Sequence, residues 1–180
     1  MGGLVLIYTF EGPMFAGKTS ALVEAAQGLG EIKAFKPMLD NRYSKNDIVT
    51  HDGKVLKARA VKSPLRIDVK APLFLDEVQF FDRIELALLV AFRQTAKLDT
   101  YLSFLDFYSN GEKTPPALMF DEYEKNNPAG IKRNKFLAVC KFCGANAPLT
   151  LRLADNKDNN FIGGAESYAP ACVRCWAKIK

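Results

Sequence analysis

The sequence predicts an α/β fold built on a parallel sheet, followed by a small C-terminal part that carries all four cysteines. Short apolar runs that suit buried strands alternate with helical stretches, beginning with residues 4–10. A glycine-bounded loop over residues 12–17 lies between the first strand and the first helix. From residue 136 onward, short strands, turns and cysteines replace this alternation. These three observations together predict the fold class.

Each element follows from its local pattern. Helices are predicted from Lys18 to Gln27 and over residues 81–97, and the second is the more clearly amphipathic. The polar, turn-rich residues 39–54 predict a mobile loop over a site. Residues 108–134 combine a turn-rich loop with one candidate short helix, so their structure stays open. The predicted strands are short, β-rich apolar segments: residues 4–10, 32–35, 55–61, 71–77 and 101–107.

Composition and charge are those of a globular protein that suits anionic ligands. The chain has 180 residues, of which 48% are hydrophobic and 25% charged, enough apolar material for a core. We expect an α/β domain over residues 1–135 and a cysteine-bearing subdomain over residues 136–180. The net charge of +5 suits nucleotides or nucleic acid without choosing between them. No stretch approaches the roughly 20 apolar residues of a membrane helix, so we expect a cytoplasmic protein.

The loop after the first strand matches the phosphate-binding pattern G-x-x-x-x-G-K-[ST] without deviation. Its glycines let successive backbone N–H groups face one centre, and the helix N-terminus behind them favours anions. Lys18 is predicted to reach the β- and γ-phosphates of ATP, and the Thr19 hydroxyl to coordinate Mg²⁺. The predicted nucleotide-binding residues of this loop are Gly12, Pro13, Met14, Phe15, Ala16, Gly17, Lys18, Thr19 and Ser20.

Two adjacent acids, Asp76 and Glu77, follow a predicted strand. In phosphate-loop proteins an acid at such a strand end holds Mg²⁺ or its water shell, which suits Asp76. Glu77 could accept the proton from an attacking hydroxyl or water. From these residues alone, it stays open whether both acids are functional or one is merely solvated.

The four cysteines form two Cys-x-x-Cys pairs: Cys140 with Cys143, and Cys172 with Cys175. Each pair can present two thiolates from one tight turn, and two such turns complete a tetrahedral Zn²⁺ site. A site closed by four cysteines has no position for water, so the predicted zinc is structural. Two disulfides or a redox dithiol remain alternatives.

Further motifs follow in order along nearly the whole chain: DNRYS at 40–44, THDG at 50–53, DEVQFF at 76–81, Asp106-Phe107 and IGGAESY at 162–168. Together with GPMFAGKTS they resemble the thymidine kinase family of the cellular, tetrameric type. The resemblance implies a RecA-like P-loop parallel sheet with a C-terminal zinc-ribbon and lasso-loop subdomain. It also implies ATP, Mg²⁺ and structural Zn²⁺ as cofactors, a nucleoside substrate, a homotetramer, and no membrane or nucleic-acid partner.

The resemblance assigns roles residue by residue. Glu77 falls on the catalytic base that deprotonates the sugar 5′-hydroxyl, and Asp76 on the acid associated with Mg²⁺. Arg42 falls on a lid arginine positioned for the phosphates, whose planar guanidinium suits developing charge. Together with Lys18, these assignments complete the predicted catalytic set. Asp40 and Gln79 fall beside the nucleotide.

The nucleoside pocket is likewise implied by the resemblance. Phe107 falls on an aromatic residue that packs against the pyrimidine, and Tyr168 lines the base pocket. Met14 and Thr150 fall near the 5-methyl group of the base. The lasso stretch that grips the base through its backbone is Asn160, Phe161, Ile162 and Gly163.

The chain departs from the family pattern in the strand before Phe107. Ser103 and Phe104 replace a Leu-Asp pair. If the register holds, Ser103 replaces an apolar neighbour of the thymine methyl, which gives the hypothesis that a more polar 5-substituent is tolerated. A neutral exchange or a shifted register is the simpler interpretation. Tyr108 also replaces the arginine that usually follows Phe107.

Two other functions stay open from the residues alone. One is a P-loop ATPase or GTPase switch, and the other is a zinc-ribbon nucleic-acid-binding module with an inactive phosphate loop. The intact Lys18, Thr19, Asp76 and Glu77 argue against an inactive loop. His51, the only histidine, is interpreted as a structural or lid residue because it lies in THDG.

Overall fold

The computed structural model describes residues 6–41, 44–68, 70–153 and 163–180. The strands are β1 (Ile7–Glu11), β2 (Lys33–Pro37), β3 (Ile48–Val49), β4 (Val55–Leu56), β5 (Arg59–Val61), β6 (Leu73–Leu75), β7 (Thr100–Phe104), β8 (Ile131–Lys135), β9 (Ala138–Val139), β10 (Asn146–Ala147), β11 (Leu149–Arg152) and β12 (Tyr168–Ala171). The helices are α1 (Lys18–Ala26), α2 (Arg83–Thr95), α3 (Pro115–Asn126) and α4 (Val173–Ile179). Single 3₁₀ turns lie at Pro64–Arg66, Val78–Phe80 and Pro128–Gly130.

Six strands form the central sheet in the order β5-β2-β6-β7-β1-β8. Every neighbouring pair in it is parallel. The predicted α/β class with a parallel sheet is therefore confirmed. None of the helices in the described ranges is long and apolar enough to cross a bilayer.

Apolar side chains cover both faces of the sheet. Leu73 and Leu75 of β6 pack with α2 and α3, whereas Phe74 between them packs with α1 on the opposite face. This division follows from the pleat, because successive side chains of a strand point to opposite faces. The Tyr101 ring stacks between Phe74 and Tyr8, at centroid distances of 4.3 and 4.5 Å. All helices that precede the cysteine-bearing part thus bury one side against the sheet.

Residues 108–134, which the sequence left open, form α3 and the sixth strand β8. Thr114 caps α3 through its side chain, and two prolines occupy its first turn. Strand β8 reads IKRNK, and its first residue is the only apolar one. Because β8 is an edge strand, it carries polar side chains that give no strand signal.

The boundaries differ from the predictions in detail. The strand predicted over residues 101–107 ends at Phe104, and the segment 55–61 is divided into β4 and β5. Strand β3 lies within the predicted loop 39–54 and forms an antiparallel hairpin with β4, which follows that loop. The predicted domain division between residues 135 and 136 stays a prediction.

A buried ion pair joins β1 to β8. The Glu11 carboxylate, 1% exposed, accepts two hydrogen bonds from the Arg133 guanidinium, at 2.6 Å from Nε and 2.5 Å from Nη2. The remaining terminal nitrogen of Arg133 donates to Asp121 of α3 at 2.7 Å. Thr9 also donates to Glu11. Residue 11 immediately precedes the phosphate-binding loop, so these bonds fix where that loop begins.

Candidate active site

The carboxyl ends of β1, β2 and β6 meet at one edge of the sheet, where ligands bind in open α/β folds. The phosphate-binding loop follows β1, and Asp76 and Glu77 follow β6. The pocket at this edge is lined by Met14, Phe15, Gly17, Lys18, Thr19, Ser20, Lys36, Asp40, Ile48, Val49, His51, Asp76 and Glu77. Nine of these thirteen were predicted as binding or catalytic residues.

The phosphate-binding loop is held in shape by close contacts. Gly12 has φ 153°, and a Cβ there would lie 2.5 Å from the carbonyl oxygen of Phe136. Lys18 is 6% exposed, and its ammonium donates to the carbonyl of Pro13 at 2.6 Å across the loop. Helix α1 begins at Lys18 itself, so the first-turn N–H groups point toward the loop centre. This arrangement suits phosphate oxygens.

Thr19 and Asp76 lie together beneath the loop. The Thr19 hydroxyl is 3.1 Å from Oδ2 of Asp76. Burial and the adjacent Glu77 charge raise the pKa of Asp76 to about 7, and Ser103 and Lys18 oppose that rise. A buried carboxylate beside a hydroxyl is a set of hard oxygen donors, and a cation there would compensate for the burial. These two residues therefore fit Mg²⁺.

Glu77 has a left-handed backbone, with φ 55°. Such a conformation is uncommon for a residue other than glycine, and it recurs at functional sites. Its carboxylate accepts a hydrogen bond from the side-chain amide of Gln79. The carbonyl oxygen of that amide accepts from the backbone N–H of Leu105 at 3.3 Å. Gln79 thus links Glu77 to the end of β7 and orients its carboxylate.

Three of the residues predicted to surround the base, Met14, Thr150 and Tyr168, lie near one another. The backbone N–H of Met14 donates to the Thr150 hydroxyl at 3.0 Å. Tyr168 pairs with Arg152 and Pro170 with Thr150, so Tyr168 shares the hairpin face that Thr150 presents to the loop. The Arg152 guanidinium lies 5.6 Å from the centroid of the Tyr168 ring.

Of the other residues predicted to contact the base, Phe107 and Gly163 have different contacts among the described residues, and the rest lie outside them. Phe107 is half-buried and forms an isolated bridge with Lys113. Gly163 lies so close to Ser167 that a Cβ would be 2.7 Å from the serine side chain. Arg42, Asn160, Phe161 and Ile162 lie outside the described residues. The roles of all the site residues remain proposals.

Sequence reasoning missed Lys36, a lysine with 3% exposure that lines the phosphate pocket. No local signal distinguishes it, because β2 also carries Lys33, which is exposed. His51 lies with its ring 5.2 Å from that of Phe15, which agrees with a lid or structural role.

Ser103 is 1% exposed, and its hydroxyl has no hydrogen-bond partner at normal geometry among the described residues. The hypothesis about 5-substituents therefore stays a prediction.

The four cysteine sulfurs form one cluster, all within 4.8 Å of one another. Cys143 Sγ and Cys172 Sγ are 3.6 Å apart, and all four cysteines are free. Tetrahedral Zn²⁺ with Zn–S bonds of about 2.3 Å places its sulfurs about 3.8 Å apart, so the cluster fits zinc. Ala16 of the phosphate-binding loop packs against a small apolar cluster of Ala138, Cys140 and Ala147, which includes one of the four cysteines. Trp176 donates to the carbonyl of Ser109 at 3.2 Å, which joins α4 to the turn after Phe107.

Comparison with known proteins agrees with this geometry. The family model for thymidine kinase matches residues 4–176. The chain belongs to the thymidine kinase family. The thymidine kinase of Pseudothermotoga lettingae is 36% identical over 190 aligned positions, covering 99% of this chain and 96% of that protein. The thymidine kinase of a Rhodothermus species is 31% identical over 176 positions, covering 92% of this chain and 78% of that protein.

Membership of the thymidine kinase family confirms the resemblance drawn from the motifs. It also confirms the prediction of a thymidine kinase enzyme. The alternatives of an ATPase or a nucleic-acid-binding module are not favoured by it.

Proposed function

We propose that the chain transfers the γ-phosphate of ATP to the 5′-hydroxyl of thymidine, or of a related deoxyuridine nucleoside, to give the monophosphate. One observation carries the proposal. A phosphate-binding loop and an oriented carboxylate, Glu77, line the same pocket in a chain of the thymidine kinase family. A positioned base beside bound phosphates is what transfer to a hydroxyl requires.

ATP binds with its phosphates on the backbone N–H groups of residues 15–19, at the end of the loop and the start of α1. Lys18 leaves its contact with Pro13 to reach the phosphate oxygens. Mg²⁺ held by Thr19 and Asp76 would neutralise charge on the β- and γ-phosphates. The burial of Lys18 and Asp76 supports this proposal, because their charges act strongly away from water.

Glu77 removes the proton of the 5′-hydroxyl as that oxygen attacks the γ-phosphorus in line. Gln79 holds the carboxylate in one orientation, which lowers the cost of reaching the reactive geometry. Lys18 and Arg42 stabilise charge on the equatorial oxygens. The nucleoside base lies toward Thr150 and Tyr168, which share the hairpin face nearest Met14.

The direct test is ATP-dependent phosphorylation of a nucleoside panel by zinc-loaded protein: thymidine, deoxyuridine, 5-hydroxymethyldeoxyuridine and deoxycytidine. We expect thymidine or deoxyuridine to be converted fastest, and deoxycytidine slowest. A protein that hydrolyses ATP or binds nucleic acid but leaves the whole panel unchanged would overturn the proposal. Equal or weaker kcat/KM for 5-hydroxymethyldeoxyuridine than for thymidine would remove the hypothesis about Ser103.

We further propose that the cysteine cluster holds one structural Zn²⁺. The spacing of the four free sulfurs supports this, and reduced thiols suit the cytoplasm, where we place the protein.

Cys175→Ser is expected to remove zinc and lower the melting temperature. Because metal binding contributes to folding, a loss of about 3 kcal/mol corresponds to a drop of roughly 6–12 °C. Weaker ATP binding should follow, since Ala16 packs against the apolar cluster that includes Cys140. Metal analysis and thermal unfolding measure both effects, with Lys62→Ala, at an exposed residue away from the cluster, as control. A variant with full zinc content and unchanged melting would contradict the assignment.

We propose a homotetramer, as the family resemblance implies. Support comes from an apolar stripe on α2 in which Ile84, Leu88 and Phe92 follow a four-residue spacing and are 69%, 54% and 56% exposed. Residues four apart share one face of a helix. Such a contiguous exposed apolar stripe is typical of an interface.

Leu88→Glu, in the middle of this stripe, is expected to lower the mass in solution below that of a tetramer. A charge buried at an interface without a partner costs several kcal/mol. Light scattering after size-exclusion chromatography measures the mass. Leu118→Glu on α3, where the side chain is 47% exposed, makes the same chemical change elsewhere and should leave the mass unchanged. A tetrameric Leu88→Glu protein would exclude the α2 stripe as an interface.

A further inference from the structure

Lys36 is a buried cation inside the phosphate pocket to which the proposed mechanism gives no role. It lies in β2, is 3% exposed, and lines the pocket together with Lys18. Its ammonium nitrogen is 3.6 Å from Oδ2 of Asp40 and donates to the carbonyl of Ser44 at 2.8 Å. One side chain therefore contacts residues at both ends of the motif over residues 40–44.

A charged group at this place is costly for the fold. Burying an ammonium ion loses several kcal/mol of hydration, which a paired carboxylate offsets only in part. The neighbours Ala34 and Phe35 are buried and apolar, and an apolar side chain at residue 36 would satisfy packing alone. Packing therefore does not explain why residue 36 is a lysine, and its charge must serve another role.

The contacts of Lys36 show what that purpose is. The Asp40 side chain is only 7% exposed and lines the same pocket as Asp76 and Glu77. Three carboxylates therefore face the phosphate site, where their repulsion would drive Asp40 away from the others. The Lys36 ammonium balances the charge on Asp40 and fixes its direction. Its bond to the Ser44 carbonyl fixes the main chain at the other end of the motif.

We propose that Lys36 is a positioning residue for phosphoryl transfer, acting on ATP through Asp40 and the main chain at Ser44. This inference rests on the proposed function, because it concerns the geometry of the same pocket. A displacement of about 1 Å in such a site can cost about 10²-fold in rate. Lys36→Met is therefore expected to lower kcat/KM for ATP by about 10²-fold. The KM for thymidine should stay near the wild-type value, because the base lies toward Thr150 and Tyr168.

The test is a double-mutant cycle with Lys36→Met, Asp40→Asn and the variant carrying both changes. Zinc content, melting temperature, and kcat/KM for ATP are measured for each protein. If Lys36 acts through Asp40, the double variant loses no more activity than Lys36→Met alone. It also recovers stability, since neither buried charge remains unpaired, while its activity stays low.

Lys33→Met is the matched control. Lys33 lies in the same strand, is 47% exposed, and pairs with Glu31 at 2.9 Å. The control should keep wild-type kinetics. Lys36→Arg, which keeps the charge, should retain more activity than Lys36→Met.

Three results would overturn the inference. Wild-type kcat/KM in Lys36→Met would show that the ammonium is not needed. Activity that returns with stability in the double variant would show a purely structural pair. Losses that multiply in the double variant would show that Lys36 acts independently of Asp40. A wild-type protein inactive on every nucleoside is a separate outcome, which refutes the proposed function instead.

Discussion

Replacing Glu77 with glutamine is expected to lower kcat for thymidine phosphorylation by about 10²–10⁴-fold, the usual contribution of a general base. Glutamine has the size of glutamate and can still accept a hydrogen bond from Gln79, so the pocket keeps its shape. It cannot take up the proton of the 5′-hydroxyl. The KM for ATP should change little, because the phosphates rest on residues 12–19.

Conversion of labelled thymidine at saturating ATP measures this effect. Glu122→Gln makes the same exchange on α3, where the side chain is 68% exposed, and should leave kcat unchanged. The kcat of Gln79→Ala should lie between those of Glu77→Gln and Glu122→Gln. This change leaves the Glu77 carboxylate in place but removes the amide that orients it. A Glu77→Gln protein that retains kcat within about threefold would show that another group accepts the proton.

Arg133→Met is expected to destabilise the fold by about 3–5 kcal/mol, because it leaves Glu11 charged and unpaired at 1% exposure. Arg133 is the residue that donates to both carboxylate oxygens of Glu11. For a chain of this length the loss corresponds to a melting temperature lower by roughly 6–20 °C. Urea unfolding measures the free energy directly.

Two companion variants test the cause of that loss. Glu124 also pairs with Arg133, but its side chain is 49% exposed. Glu124→Gln removes this pair and should lower the free energy of unfolding by less than about 1 kcal/mol. The double change Arg133→Met with Glu11→Leu leaves no buried charge without a partner, so it should recover most of the stability. If the double change were as unstable as Arg133→Met, the loss would come from packing and not from the charge.

The features that the sequence predicted well are local ones. The phosphate-binding loop needs a strand, a set glycine spacing and a helix in succession, and all three lie within residues 7–26. Asp76 and Glu77 could be placed beside the phosphate-binding loop because residues at the carboxyl ends of parallel strands share one edge of the sheet. The cysteine cluster followed from two short spacings and the known preference of zinc.

The features that it missed depend on partners distant in the chain. Glu11 and Arg133 are separated by 122 residues, and neither neighbourhood indicates the other. Strand β8 is polar because only β1 contacts it in the sheet, so its pattern resembles a loop. Lys36 has the appearance of an ordinary surface lysine until β2 is placed between β5 and β6.

The central position of β1 has a consequence for biosynthesis. In the sheet, residue 7 pairs with residues 100 and 131, both of which leave the ribosome much later. At about 5–20 residues per second, β1 waits roughly 6–25 s for its second neighbour. Such distant pairings slow folding. The first strand therefore has both of its neighbours only after β8 has emerged, and nucleotide cannot assist folding before then.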